Sequence, residues 1–297
     1  MSFPQSVRGI ALCCLAVLLF ALLDTLSKYL VLYYEAIMVL WARFLVSGLL
    51  LCFWTLPREG WHVLKSNCPV LQLLRALCLL GSGLFFITGT QYLPLGEATA
   101  VLFIAPLLVT LWSGWYLGER VTFLQWIANA VGFLGIVIIL RPGGGLLTIA
   151  MLLPLGAAGC FALYQLITRR IGTQDSVTTS NMISALLGVV CTSALVPAFW
   201  THFPEPIHLA AMITQGMIAT LGHLLLTQAY RFTSPVILAP FSYLHILFAG
   251  LFGMLFFNHV PGIGALLGMV VIALSGLGAL IGQRSARKLE VPDDAVR

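Results

Sequence analysis

The sequence predicts an all-α membrane protein: ten transmembrane helices forming two inverted five-helix repeats around a central cavity. Three observations lead there. Of the 297 residues, 60% are hydrophobic and 8% charged, where a soluble chain carries roughly a quarter charged. That leaves too little polar surface to face water. Apolar stretches of about 20 residues, each long enough to cross a hydrocarbon core of ~30 Å, follow one another almost without gaps. Finally, segments of the first half recur in the second at nearly constant offset.

Taken in order, the spans are 8–29, 35–55, 69–92, 95–117, 122–140, 148–168, 178–199, 208–230, 235–257 and 261–282. Pro57-Arg58-Glu59-Gly60 closes the second, and Leu93-Pro94-Leu95-Gly96 makes a tight turn between the third and fourth. Gly118-Glu119-Arg120 stops the fourth, Arg141-Pro142-Gly143-Gly144-Gly145 the fifth and Arg169-Arg170 the sixth. The run after Arg8 is too long for a signal-peptide core, and no small-x-small cleavage site follows it. The longest connections, 56–68 and 200–207, are too short to hold a soluble catalytic module.

Counting Lys and Arg gives the orientation. With both ends cytoplasmic, twelve fall inside, Arg75 among them, and two outside, Lys28 and Arg141; Arg43 stays within a span. That is a strong positive-inside bias. The seven cysteines show no C-x-x-C pairing and mostly sit in apolar runs, as small hydrophobes do. Neither a metal-ligand set nor a cofactor motif is present, and the +5 net charge is the loop signature of membrane orientation, not of nucleic-acid binding.

The repeat divides the chain into 1–145, 146–284 and a tail, 285–297, expected to be disordered. Phe20-Ala21-Leu22 with Lys28 recurs as Phe161-Ala162-Leu163 with Arg169, an offset of 141. Thr90-Gln91 recurs as Thr227-Gln228, an offset of 137. Gly118-Glu119-Arg120-Val121 gives way to Phe257-Asn258-His259-Val260, an offset of 139. Five spans are an odd number, so the second copy enters from the opposite side, with a site near mid-depth at the seam.

Phe20–Leu30, WARF at 41–44, the GTQYLPLGEATAVLFIAPL run from Gly89, and LGERV followed by GFLGIVIILRPG together resemble the EamA type of the drug/metabolite transporter superfamily. The resemblance implies a ten-helix carrier of the bacterial inner membrane, a multi-pass protein exporting metabolites or amino-acid-like compounds by alternating access. The sequence departs from that family at Glu35-Ala36, where a proline is usual, and at Asn258-His259, where Gly-Glu is usual.

Several residues can bind substrate or couple its movement. A charge near a helix centre costs roughly 2.5–3.5 kcal/mol on insertion scales, so Asp24 and Arg43 need a partner or a wet cavity. Their similar depths predict an approach across the first two spans. Two readings stand: a permanent ion pair, or an ionic site in which Arg43 attracts a carboxylate or phosphate and Asp24 exchanges a proton. His223 and His245 fall near mid-membrane, where imidazole binds ligand, relays protons or bonds a neighbouring helix. Pro106 and Pro240 predict kinks in the paired fourth and ninth spans. Gln91, Trp112, Tyr164, Gln165, Gln228 and Tyr243 are candidates for the cavity face, with the rings of Trp112 and Tyr164 able to stack on a planar ligand. Tyr92, Trp115 and Tyr230, near span ends, read as an interfacial belt. Glu97, at the start of the fourth span, is a gate candidate.

Gly264-x3-Gly268 and Gly278-x3-Gly282 permit close helix approach, within the chain or in a homodimer. An intramembrane enzyme is disfavoured, since H-E-x-x-H is absent, and no nucleotide loop supports ATP-driven pumping. The partners expected are a small-molecule substrate and the lipid bilayer. A proton antiporter, a facilitator, and a flippase or lipid-linked substrate carrier on the same fold remain the alternatives.

Overall fold

A computed structural model describes residues 5–93, 95–116, 123–140, 149–172 and 174–257, with 263–264, 267–268, 270–271 and 274–275 beyond them. The described residues up to 257 form eleven α-helices: α1 Gln5–Leu30, α2 Ala36–Glu59, α3 Pro69–Tyr92, α4 Leu95–Leu102, α5 Ala105–Tyr116 and α6 Phe123–Leu140, then α7 Leu152–Ile171, α8 Val177–Leu195, α9 Pro206–Phe232, α10 Pro235–Ser242 and α11 Leu244–Phe257. Six helical segments, those built on α1–α3 and α7–α9, are long and apolar enough to cross a membrane.

Local sequence sets the ends. Pro69, Pro206 and Pro235 open α3, α9 and α10, where a missing N–H leaves no helix bond unmade. Ser176 caps α8 by accepting the Thr179 N–H at 2.9 Å, and Ser234 caps α10 through Val236. α2 and α7 end at Gly60 and Gly172, with φ of 60° and 55°, a conformation that a side chain resists.

Two expected spans are each broken in the middle. Residues 95–117 become α4 and α5, separated at Phe103-Ile104, and residues 235–257 become α10 and α11, separated at Tyr243. Proline removes a backbone donor and its ring crowds the preceding turn. Pro106 follows the first break by two residues; Pro240 precedes the second, its side chain outside the described residues. The tail, Gly118-Glu119-Arg120, Arg141-Pro142, Asn258-His259 and the Gly278–Gly282 pair also lie outside them, whereas Gly264 and Gly268 are described and buried.

Helices of the first half pack chiefly on those of the second. α1 runs antiparallel to α9: Phe20 covers Gly222, Ser27 accepts from Gln215 at 3.0 Å, and Tyr34 meets His208 at 2.9 Å. α3 runs antiparallel to α7, with Arg75 at Thr168, Gly81 at Cys160, Phe85 at Gly156 and Gly89 at Pro154. α2 and α8 are antiparallel too, from Trp41–Ser193 through Phe44–Gly188 to Cys52–Met182. α3 and α8 run parallel, through Gln72–Ser180 and Arg75–Ser184. Replacing α1 to α5 by α7 to α11, and the reverse, turns α1–α9 into α7–α3, α2–α9 into α8–α3 and α1–α11 into α7–α5, and leaves α2–α8 as it is. Even the caps exchange. Lys28, ending α1, donates to the carbonyls of Thr90 and Leu93 past the end of α3, and Arg169, ending α7, donates to the Tyr230 carbonyl of α9 at 2.8 Å.

At one end of the bundle Asp175 ties two loops together. Its carboxylate accepts from Ser66 Oγ, from the Asn67 N–H at 2.8 Å and from Gln72 Nε2 at 2.8 Å. Burial pushes this carboxyl up, but the bonds from Ser66, Gln72 and Asn67 outweigh burial and hold it below the usual carboxylate value. A lowered folded-state pKa means stability that is complete above the unfolded pKa and is lost as pH falls through the folded one. Asp175→Asn is expected to lose about 1–3 kcal/mol at neutral pH. Melting curves of the two proteins should converge below about pH 4, the ordinary carboxylate range.

Candidate functional site

The broken helices face a cavity with ≈ 90 Å³ of room for the centres of water-sized molecules. Its walls are largely aromatic, with Phe20, Phe86, Phe103, Phe161 and Tyr230 lining it. Repeat-related positions sit opposite one another: Phe20 with Phe161, and Asp24 with Gln165, each pair offset by 141 and each member lining the cavity.

Polar groups reach this apolar chamber from four sides. Asp24 comes from α1, Arg43 from α2, His223 from α9 and His245 from the first turn of α11. His245 Nε2 lies 3.1 Å from Asp24 Oδ2. The approach is at ion-pair distance but off the line of a hydrogen bond, and neither atom has a hydrogen-bond partner among the described residues. The His245 ring is fixed edge-on against Phe103, centroids 5.3 Å apart. His223 packs on Phe20 at 4.8 Å, with Nδ1 3.4 Å from the Tyr164 hydroxyl.

The two buried arginines differ sharply. Arg43 is 7% exposed, and among the described residues it makes neither an ion pair nor a side-chain hydrogen bond. It lies beside Gly83, where a Cβ would collide with its Nη2. Arg75 is fully buried one layer back and makes five hydrogen bonds: Nε to Thr168, Nη1 to Ser180 O and Ser184, Nη2 to Tyr164 and Thr227, at 2.7–3.1 Å. A guanidinium has five N–H donors. Arg75 therefore binds α3 to α7, α8 and α9, while Arg43 lines the cavity with its guanidinium over the Phe44 ring, 5.2 Å from the centroid.

The structure thus gathers Asp24, Arg43, Pro106, Gln165, His223 and His245 around one cavity. Asp24 and Arg43 line the same cavity, but the group at ion-pair distance from the carboxylate is His245, brought there by the break before α11. Tyr164 and Tyr243 are buried behind the wall, Tyr243 with its ring against Gly132. Trp112 packs with the α5–α7 contact, Gln228 is half-buried, and Gln91 is exposed. The Glu97 side chain lies outside the described residues. Two readings from the sequence are corrected. Arg75, counted with the inner charges, is in the core, because the face of α3 that carries it meets α7, α8 and α9. Tyr230, read as part of a belt, is 2% exposed and lines the cavity, since α9 is packed along α1; Tyr92 and Trp115 are exposed as that reading expects. Ser82 and Gly83 were missed, and their signal was the Gly81-Ser82-Gly83 run, small residues admitting the Arg43 side chain.

The EamA-like transporter family model matches residues 7–141 and again 148–281. The chain belongs to the EamA-like transporter family. It is thus a multi-pass membrane protein of a transporter family, with a two-repeat, all-helical build. Similar EamA-like proteins include an S-adenosylmethionine uptake transporter of Rickettsia bellii, 26% identical over 90% of this chain and 91% of the relative. A riboflavin transporter of Vibrio cholerae is 29% identical over 73% of this chain and 70% of its own. A pseudopaline exporter of Pseudomonas aeruginosa is 24% identical over 90% and 94%. A solved crystal structure shares the fold, with a TM-score of 0.74 and 19% identity over 95% of this chain and 98% of the other.

Proposed function

We propose that this EamA-like protein is a secondary transporter of a small amphipathic metabolite that carries a carboxylate or phosphate group. It works by alternating access between two inverted five-helix halves and draws on a proton gradient. The observation that carries the reading is Arg43, a buried cation that makes no hydrogen bond or ion pair among the described residues, set over the Phe44 ring in a chamber of aromatic rings that it shares with Asp24. An unpaired charge in a low-dielectric site is costly unless an opposite charge arrives. The rings supply apolar and stacking surface for the body of the same ligand.

Inversion is supported by helix direction. α1, α2 and α3 alternate, and α9, α8 and α7 run antiparallel to them respectively, so each helix of the second half opposes its repeat equivalent. With Arg75 removed from the count, eleven basic residues against two still favour both ends in the cytoplasm of a bacterial cell. The relatives named above include one uptake transporter and one exporter, so they favour neither direction for this chain.

Thermal stabilisation of the purified protein across a metabolite panel tests the reading. The panel includes S-adenosylmethionine, riboflavin and plain aromatic carboxylates such as phenylacetate. A ligand at 100 times its Kd stabilises the folded state by about 2.7 kcal/mol. Amphipathic carboxylates or phosphates are expected to raise the melting temperature and their neutral amides to do so far less. Equal stabilisation by acid and amide, or none by any anion, overturns it.

A further inference from the structure

We propose that Asp24 and His245 are the proton site of this carrier, and that one proton moves with each anion held at Arg43. The inference rests on the reading of Arg43 as the anion site, and it makes the coupling symport, not antiport.

Geometry places the two groups for this. They stand 3.1 Å apart, both buried, both facing the cavity that Arg43 also faces. Neither facing atom has another partner among the described residues, so a proton arriving at His245 Nε2 meets only Asp24 Oδ2. The elements packed around Asp24 bring one other charge to the cavity, Arg43, among the described residues. α2 offers Arg43, and α9 offers neutral Tyr230 and His223, whose Nδ1 is near Tyr164. α3 presents Ser82 and Phe86, while its Arg75 is saturated by neutral acceptors behind Tyr164. α7 presents Gln165 and α10 presents Ser242. Lys28, one turn on from Asp24, is turned to the α3 carbonyls, and the Glu97 side chain of α4 lies outside the described residues.

Charge counting then gives the coupling. With both imidazoles neutral, the empty chamber holds one positive charge, Arg43, and one negative, Asp24. An entering monoanion leaves a surplus negative charge in a medium that tolerates none well. A proton on His245 restores neutrality and converts the pair into an ionic hydrogen bond. At about 10 Å and an effective dielectric of about 20, anion and proton raise each other's affinity roughly tenfold, reciprocally. The repeat gives the stoichiometry: the counterpart of Asp24 is Gln165, which cannot ionise, so only one of the two related positions carries a charge.

His245 also sits two residues after the break at Tyr243. Its link to α1 therefore bridges the joint of a broken helix, so protonation acts on a part that is able to move.

The test is proton uptake by the purified, full-length protein on binding phenylacetate, with phenylacetamide as the neutral control, at pH values where phenylacetate is ionised. Phenylacetate is expected to bind with uptake of up to about half a proton, its affinity rising by about tenfold in all as pH falls across the titration; phenylacetamide should show neither effect. The variants should move in opposite directions. Asp24→Asn removes the negative charge, so phenylacetate binds more tightly, without pH dependence and without proton uptake. His245→Gln removes the proton acceptor, so binding weakens and again loses its pH dependence. A purely structural pair would weaken binding in both variants and leave the pH profile in place. Binding of phenylacetate without proton uptake overturns the proton site and leaves the Arg43 reading standing. If phenylacetate does not bind at any pH, both fall. Should Asp24→Asn fail to fold, the proton count of the unaltered protein decides alone.

Discussion

Replacing Arg43 with methionine is expected to make the protein more stable and to abolish its activity. Burying a guanidinium near a helix centre costs roughly 2.5–3.5 kcal/mol on insertion scales. Among the described residues no hydrogen bond or ion pair offsets that cost at Arg43, and the Asp24 charge across the same cavity and the Phe44 ring offset only part of it. Methionine fills similar volume without the charge, and Asp24 keeps His245 as its neighbour. A gain of about 1–3 kcal/mol in thermal or denaturant unfolding is expected, by analogy with buried charges replaced by apolar residues. Removing one partner of a buried charge contact costs about 2–5 kcal/mol of binding, so affinity for phenylacetate should fall about 100-fold or more. Arg43→Lys keeps the charge but loses the fork, and should recover only part of the binding. A stable Arg43→Met protein that still takes up phenylacetate in reconstituted vesicles would remove Arg43 from the site.

The same substitution at Arg75 is expected to do the opposite. Arg75→Met leaves Thr168, Ser184, Tyr164, Thr227 and the Ser180 carbonyl without their shared donor, in three helices at once. Buried polar groups left unpaired cost about 1–3 kcal/mol each, partly relieved by relaxation. A net loss of about 3–5 kcal/mol is the scale seen when a buried charge contact is broken from one side. Arg75→Lys has three donors in place of five and should sit between Met and the native residue. The measurement is the melting temperature of the protein in detergent without ligand. If Arg75→Met melts like the native protein, the five bonds do not hold the bundle. Made side by side, the two arginine substitutions separate a residue that builds the bundle from one that waits for cargo.

Why one arginine was legible in the sequence and the other was not has a physical answer. Hydropathy reports depth along a helix axis, and Arg43 sits within an apolar run, so its cost was visible. Arg75 follows six residues after the opening of α3, near enough to a loop to be counted with it. Its burial depends on which face of α3 meets α7 and α8, and that is decided by tertiary packing. The same distinction explains Asp24. Its depth was readable, but its neighbour was set by the break between α10 and α11, which turns His245 toward α1. Pro106 and Pro240 announced both breaks, because a missing donor is a local property. The recurrence of Phe20-Ala21-Leu22 was readable as duplication, and it carried Phe161 and Gln165 to the opposite wall. Gln91 shares the Thr-Gln repeat with Gln228, yet at the last turn of α3 it is exposed, since the repeat fixes the position along a helix and not the cover that neighbouring helices give it.

The exchange of contacts between halves also bears on how the chain is made. Gly9 meets Thr233 and Phe20 meets Gly222, so α1 leaves the ribosome some 200 residues ahead of its main neighbour, α9. At about 5–20 residues per second that is a wait of roughly 10–40 s. For that interval Asp24, Arg43 and Arg75 are already synthesised while Ser180, Ser184, Thr227 and His245 are not. The nascent chain must hold those charges at the translocon or in the lipid headgroups until the second half arrives, which makes biogenesis, more than the finished bundle, the stage at which they are hardest to accommodate.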